Sequence, residues 1–304
     1  MSLIVVGFSI GSAVICLVAM GVWNLDLHSL QAMMTQPGPA DIEPLKWLNN
    51  IAQTFGFLIP VLVFVQIFGK KDVNGLMWFR PATIFILAPL WIMLSNGVID
   101  LLGMFNHWII PAGSALEAAF KPSEDQAADI TQMILSSQGL VPILTTVISV
   151  AIIPAVFEEL VFRGVVQPLL ARSTQRIHLS IWLTAALFSA IHMQFYGFIP
   201  RLFLGAMMGY LVIWSGSLWT SIIAHLFNNL MAIVIFNSNG HQLETSGAET
   251  ATDWAIYAVS IVALVGLAIV FVRNSRWPWI GFSYLGITDS DPSTPQPSED
   301  PQAS

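Results

Sequence analysis

Three ionisable side chains lie inside one apolar stretch of this sequence, at Glu158, Glu159 and Arg163. Each charge at the centre of a bilayer costs about 2.5 to 3.5 kcal/mol on insertion scales, so such residues are functional candidates. Glu159 and Arg163 are four residues apart with the acid first, which favours an ion pair on one helix face. Glu158 points about 100° away from Glu159 on a helix. The pattern therefore predicts that Arg163 neutralises Glu159 and that Glu158 is the free carboxylate.

Later apolar stretches contain two further pairs of residues that are four residues apart and include histidine. They are Phe188 with His192, and His225 with Asn229. Residues at this spacing share one face of a helix. Each pair also has a purely structural explanation. A neutral imidazole is tolerated inside a membrane protein when it is hydrogen-bonded, and asparagine joins transmembrane helices. A structural ion network between helices would likewise explain the acidic group.

The predicted depths of the three motifs in the membrane indicate that their side chains could form one site. Glu158, His192 and His225 lie 14, 16 and 9 residues from the loops that we assign below to the cytoplasmic side. At a helical rise of 1.5 Å per residue these depths are roughly 21, 24 and 14 Å. With helix tilt, the three side chains can meet near the middle of the bilayer.

The composition identifies the elements that position these residues. Of 304 residues 55% are hydrophobic and only 10% are charged, with a mean hydropathy of +0.72, which argues against a soluble domain. A transmembrane helix needs roughly 20 apolar residues. We therefore predict an all-α integral membrane protein, a polytopic helical bundle of about eight transmembrane helices. The predicted spans are Leu3 to Trp23, Ile51 to Gly69, Ala82 to Met104, Leu140 to Leu170, Leu179 to Phe195, Phe198 to Trp214, Leu218 to Phe236 and Trp254 to Val272.

The loops between these spans predict the orientation of the chain. Lysine and arginine favour the cytoplasmic side, and they follow the second, fourth and eighth spans. The loops between them are acidic. We therefore predict a multi-pass protein of the cell membrane with both termini in the cytoplasm. In the loop from Phe105 to Gly139, the stretch Ala115 to Phe120 is predicted to form a short amphipathic helix at the interface.

Four regions follow from this pattern: residues 1–139 with N-terminal transmembrane helices and loops, 140–236 with the candidate site, 237–288 with the last transmembrane helix and an interfacial segment, and 289–304 as a disordered acidic tail. The single cysteine, Cys16, excludes an intrachain disulfide and a cysteine-based zinc site. No basic patch indicates nucleic-acid binding.

The three motifs resemble the CPBP family of intramembrane endopeptidases, the CAAX prenyl protease and bacteriocin-processing type. That family has a Glu-Glu pair with Arg four residues after the second Glu, then Phe with His four residues on, then His with Asn four residues on. These motifs fall in the same order on residues 158–163, 188–192 and 225–229. The resemblance extends over about Leu140 to Phe236. It implies that residues 140–236 form an intramembrane protease core.

The resemblance implies peptide hydrolysis by a water molecule that Glu158 activates, with His192 holding the water and with His225 and Asn229 donating to the oxyanion. Glu159, Arg163 and Phe188 would support this site. The spacing alone would allow the two histidines to exchange roles. The implied substrate is a peptide or a membrane protein, prenylated or not, which the site meets among membrane lipids.

Three alternatives to this reading remain. One carboxylate and two histidines also form the ligand set of many catalytic zinc sites, but the sequence lacks an H-E-x-x-H helix, and the resemblance implies a site without an obligatory metal. We therefore expect no cofactor, with a zinc-dependent protease as the alternative. The second alternative is a non-catalytic membrane interaction or immunity module with the same fold. The third, a transporter, is disfavoured because no matching broken helices indicate inverted repeats.

Overall fold

The computed structural model describes residues 2–68, 81–111, 113–238 and 250–274, and within them the chain forms ten α-helices and no strand. Two of the longer helices contain π-helical turns, which we count as part of the helix. The helices are α1 (Ser2–Trp23), α2 (Leu27–Thr35), α3 (42–68), α4 (Pro81–Ile109), α5 (Ala115–Leu135), α6 (Leu140–Thr174), α7 (Ile177–Ala190), α8 (Phe198–Ser215), α9 (Leu218–Ser238) and α10 (Ala251–Asn274).

The prediction of a polytopic helical membrane protein is confirmed. Among the described residues, six helices are long and apolar enough to cross a membrane: α3, α4, α6, α8, α9 and α10. Helices α1 and α2 pass the same test as a pair that is bent by 109°. Helix α7 has 14 residues, which at a rise of 1.5 Å per residue is about 21 Å and short of a hydrocarbon core of about 30 Å.

Helix α3 begins well before its predicted start at Ile51. Residues 42–50 fall in the predicted acidic loop before that span, yet they are helical as part of Ile42–Gln53. The reason is tertiary: Lys46, Asn50 and Gln53 are buried. The Lys46 Nζ donates to Glu43 Oε1 over 2.7 Å and to Ser137 Oγ over 2.9 Å. These partners satisfy a lysine that would otherwise be costly to bury.

Helix α5 is also longer than predicted, because it continues past Phe120 to Leu135. Ser114 caps its start by accepting a hydrogen bond from the backbone N–H of Glu117. The Glu117 carboxylate in turn accepts from the backbone N–H of Gly113. This reciprocal arrangement resembles a capping box. It stabilises the start of a helix whose polar sequence does not by itself predict its full length.

Helices α1 and α3 pack closely through the small residues of α1. A methyl group at Gly7 would overlap the backbone carbonyl oxygen of Phe55, and one at Gly11 would lie 3.0 Å from Phe55 Cβ. Glycine at both positions lets the two backbones approach. Helix α6 packs against α3, α7 and α9, and α4 packs against α8, α9 and α10. Helix α6 therefore lies among the helices that carry the other site residues.

Three π-helical turns occur near the middle of the bundle: Thr54–Leu58 in α3, and Val147–Ile152 and Phe162–Val166 in α6. The two turns in α6 flank the segment Ile153–Val161, which contains both glutamates. The segment of α3 with the first turn packs against that same segment of α6. Such turns are frequent at functional sites because the extra residue changes the direction of the side chains that follow.

Several predicted features lie outside the described residues. They are the basic loop residues Lys70, Lys71, Arg80 and Arg276, the acidic residues Glu244 and Glu249, and the tail 289–304. The orientation of the termini and the division into four regions stay predictions.

Candidate active site

The Glu159–Arg163 pair lies in the interior of the bundle, as the spacing of four residues predicts. The Arg163 Nη1 donates to Glu159 Oε1 over 2.9 Å, and both side chains are inaccessible to solvent. The Arg163 Nη2 donates to the backbone carbonyl of Gly205 on α8 over 2.8 Å. The guanidinium also lies 4.8 Å from the centre of the Phe188 ring, a cation–π distance. Arg163 therefore joins α6, α7 and α8.

His225 lies between the two glutamates. Its Nδ1 is 3.0 Å from Glu159 Oε1, and its Nε2 is 4.0 Å from Glu158 Oε2. A carboxylate can only accept, so Nδ1 carries the hydrogen that Glu159 accepts. The side chain of Glu158 is 10% exposed, whereas Glu159 is fully buried. Of the two carboxylates, only that of Glu158 is therefore accessible to a small molecule beside His225.

His192 lies just beyond the C-terminal end of α7 rather than on the helix, because α7 ends at Ala190. The next residue, Met193, has a positive φ of 54°, which turns the chain away from the helix. The His192 Nδ1 is 2.8 Å from the backbone carbonyl of Phe188. Since that carbonyl only accepts, Nδ1 carries the hydrogen and Nε2 of the neutral ring is left as an acceptor.

Phe188 lies between the two imidazoles. Its ring centre is 5.1 Å from that of His192 and 5.9 Å from that of His225, with edge-on geometry in both cases. Phe188 is 4% exposed. The ring therefore holds the two histidines apart and fixes their planes, which gives the predicted supporting residue a physical role.

Asn229 lies one turn after His225 on α9 and donates from Nδ2 to the backbone carbonyl of Val150 over 3.1 Å. That carbonyl belongs to the π turn Val147–Ile152 of α6. The neighbouring Asn228 donates from Nδ2 to Asn229 Oδ1 over 3.3 Å. The carboxamide of Asn229 is therefore fixed from both ends, and its second Nδ2 hydrogen stays available.

The glycines of α8 have a role that their small size alone did not reveal. Their small size allows close helix packing, since a methyl group at Gly205 would lie 3.2 Å from Ala185 Cβ. In addition, their carbonyls accept hydrogen bonds from α6. Gly205 accepts from Arg163, and Gly209 accepts from the Gln167 Nε2 over 3.4 Å. The stripe of Glu159, Arg163 and Gln167, one residue per turn, could have indicated this.

The loop 191–197, which follows His192, is anchored from several sides. Asn106 at the end of α4 donates to the carbonyl of Phe195 and accepts from the N–H of Ile199. The Glu124 carboxylate of α5 accepts from the N–H of Tyr196 over 2.9 Å. None of these contacts was predicted from the sequence. They hold His192 in place from two helices that lie outside the motif region.

Arg201 is a further residue near the site that the sequence analysis did not single out. It lies in the first turn of α8 and is half-buried. Its charge acts on both Glu158 and His192. A basic residue inside an apolar span is itself a functional signal, so its presence in the sixth predicted span could have drawn attention to it.

Metal binding has little geometric support among the described residues, where no three His, Cys, Asp or Glu side chains converge as ligands. The Glu159 carboxylate already serves Arg163 and His225. The expectation of a site without a cofactor stays a prediction.

The comparisons with known proteins agree with the resemblance drawn from the motifs. Residues 140–231 match the family model described as Rce1-like, type II CAAX prenyl endopeptidase. This segment is under a third of the chain and contains all seven predicted site residues. Searches of curated proteins and of solved structures gave no match. The family match supports an endopeptidase of the membrane.

Proposed function

We propose, from the family match of residues 140–231, that this protein is a CAAX-protease-like intramembrane endopeptidase that hydrolyses a peptide bond with glutamate-activated water. The observation that carries the proposal is the position of Glu158. Its carboxylate faces the Nε2 of His225 at 4.0 Å, while Glu159 and Arg163 form the ion pair behind it. This distance is too long for a hydrogen bond between the two atoms, and an oxygen atom of a reacting group that lies beside the pair could reach both of them at hydrogen-bond distance.

Glu158 is the general base of the proposed reaction. Water is a poor nucleophile at neutral pH, and a positioned carboxylate that removes its proton accelerates attack typically by 10²- to 10⁴-fold. The side chain of Glu158 is 10% exposed, so a water molecule can reach its carboxylate. The oxygen of the water bonds to the scissile carbonyl carbon as its proton moves to Glu158.

His192 orients that water. Its Nδ1 hydrogen is given to the Phe188 carbonyl, so its Nε2 accepts a hydrogen bond and does not donate one. An acceptor suits a water molecule and does not suit an oxyanion. This tautomer argues against the exchange of roles between the two histidines that the spacing alone allowed.

His225 and Asn229 stabilise the oxyanion. His225 already donates from Nδ1 to Glu159, so donation from Nε2 requires the imidazolium form. The free Nδ2 hydrogen of Asn229 supplies the second donor. Two fixed donors aimed at the developing charge are the arrangement that lowers the barrier of acyl transfer.

Collapse of the tetrahedral intermediate breaks the carbon–nitrogen bond, and the leaving amine takes a proton from Glu158, which returns to its carboxylate form. The substrate would be a peptide or a membrane protein, prenylated or not, that reaches the site among lipids. No metal or cofactor takes part in these steps.

The test is cleavage of a quenched fluorescent peptide library by the detergent-purified protein and by its Glu158→Gln variant, each with and without a chelator. We expect a loss of activity of at least about 10²-fold in the variant, an unchanged thermal midpoint, and no effect of the chelator. The exposed Asp125→Asn variant is the matched carboxylate-to-amide control.

Activity of Glu158→Gln equal to that of the wild type would refute the assigned base. Inhibition by the chelator that zinc reverses would favour the zinc-dependent protease. A folded wild-type protein that cleaves no peptide, prenylated or not, would favour the non-catalytic membrane module.

A further inference from the structure

The side chain of Arg201 folds back onto the loop that carries His192. Its Nη2 donates to Gln194 Oε1 over 2.8 Å, and its Nη1 donates to the backbone carbonyl of Gln194 over 3.3 Å. The guanidinium also lies 3.1 Å from the position that a β-carbon at Gly197 would occupy. Gln194 therefore fixes the direction of the guanidinium, but it supplies two neutral oxygens and no negative charge.

This lack of a carboxylate partner distinguishes Arg201 from the other basic residues in the interior. Lys46 lies 2.7 Å from a Glu43 oxygen, and Arg163 lies 2.9 Å from a Glu159 oxygen. Among the described residues no carboxylate lies within 4 Å of Arg201, and its nearest acidic influences, Glu124 and Glu158, act at longer range. A cation that is costly to place in the membrane should have a partner.

The position of Arg201 relates it to the site. Gln194, which orients it, is two residues after His192, and its charge acts on both His192 and the Glu158 carboxylate. An extended peptide advances by about 3.3 to 3.6 Å per residue. A substrate whose scissile bond lies at Glu158 can therefore bring a group a few residues away to the guanidinium.

We propose that Arg201 binds a carboxylate of the substrate, a few residues from the scissile bond; this inference rests on the proposed endopeptidase function. The guanidinium has five N–H donors in a planar fork that matches a carboxylate, and Gln194 uses only two of them. The carboxylate is either the C-terminal group of the substrate or an acidic side chain near that position. Arg201 is then a specificity residue that selects an anionic substrate and takes no part in the bond-breaking step.

The test uses three fluorogenic peptides of one sequence: one with a free C-terminal carboxylate, one with a C-terminal amide, and one amide with Glu as its last residue. Wild type, Arg201→Gln and the exposed Arg176→Gln are compared by kcat/KM. A charge-assisted hydrogen bond predicts that wild type and Arg176→Gln prefer at least one anionic peptide over the neutral amide by about tenfold or more. In Arg201→Gln that preference, taken as the ratio of kcat/KM between the anionic peptide and the neutral amide, should disappear.

The anionic peptide that is preferred identifies the source of the carboxylate. Preference for the free acid alone indicates that Arg201 binds the C-terminal carboxylate. Preference for both anionic peptides indicates that it also binds an acidic side chain near that position. Arg201→Glu provides an independent arm, because it should reverse the preference toward a peptide amide that ends in Lys.

Two results would overturn the inference while leaving the proposed function intact: wild type cleaving all three peptides equally, or Arg201→Gln losing activity on all three to the same extent. The latter would indicate that Arg201 only supports the loop. By contrast, failure of the proposed function would appear as no cleavage of any peptide by wild type, or as full activity of Glu158→Gln.

Discussion

At the scale of single residues, the adjacent glutamates Glu158 and Glu159 have different surroundings. Glu159 is fully buried, pairs with Arg163 and accepts from His225. The Glu158 carboxylate lies 4.0 Å from His225 Nε2, and its side chain is 10% exposed. The guanidinium of Arg163 and the Nδ1–H of His225 compensate the buried carboxylate of Glu159. In the proposed mechanism the general base is the glutamate with fewer partners.

Replacing Glu159 with Gln should destabilise the protein by about 3 to 5 kcal/mol, because Arg163 would be left as an uncompensated buried charge. The measurement is the thermal unfolding midpoint of the detergent-purified variant. The double variant Glu159→Gln/Arg163→Met removes both charges and should recover part of the loss. A midpoint for Glu159→Gln equal to that of the wild type would contradict a structural role for this pair.

At the scale of the helices, close approach of α7 and α8 sets the geometry of the site. A methyl group at Gly205 would lie 3.2 Å from Ala185 Cβ and 3.3 Å from Phe188 Cδ1. Phe188 separates the two imidazoles, and the Gly205 carbonyl receives a hydrogen bond from Arg163. The packing of two helices is thus linked directly to the positions of His192, His225 and Arg163.

Gly205→Leu should consequently lower both stability and turnover. Overpacking of this kind costs typically about 1 to 3 kcal/mol, and displacement of Phe188 would move the histidines. Unfolding midpoint and kcat are measured together. Gly266→Leu on α10 is the matched control, because a β-carbon there meets nothing within 4 Å. Equal effects of the two substitutions would argue against a specific role of the α7–α8 contact.

At the scale of the whole molecule, the helix directions follow from contacts between distant residues. Gly7 meets Phe55 and Pro60, whereas Gly11 meets Ala52 and Phe55, so α1 and α3 run antiparallel. Lys46 contacts Pro142 and Thr145, and Asn50 contacts Ser149, so α3 and α6 run parallel. If the basic loops face the cytoplasm, as the sequence predicts, these directions predict that the turn between α6 and α7 is cytoplasmic and that α5 lies on the opposite side.

Single cysteines at Ser123 on α5 and Ser173 near the end of α6, in a Cys16→Ser background, test this orientation. Both serines are exposed. In intact cells a membrane-impermeant maleimide should label the cysteine at position 123 and should reach position 173 only after permeabilisation. The reverse pattern would show that the predicted orientation is inverted.

The sequence by itself determined the helical membrane fold and the identity of the candidate site. Long apolar stretches are sufficient to predict helical spans, because an α-helix forms all the backbone hydrogen bonds of one segment within that segment, as the absence of water in lipid requires. Charges inside those stretches are costly enough to mark Glu158, Glu159 and Arg163. The i,i+4 spacing was sufficient to pair Glu159 with Arg163, since that contact is local to one helix.

Only the tertiary structure decided which groups meet across helices. It buried the polar half of α3 against α6, placed His192 beyond the end of a short helix, and set its tautomer through the Phe188 carbonyl. It also brought Arg201 to the site without a carboxylate partner among the described residues. These features depend on backbone groups and side chains that are far apart in sequence, and helical periodicity describes only the face on which a residue lies.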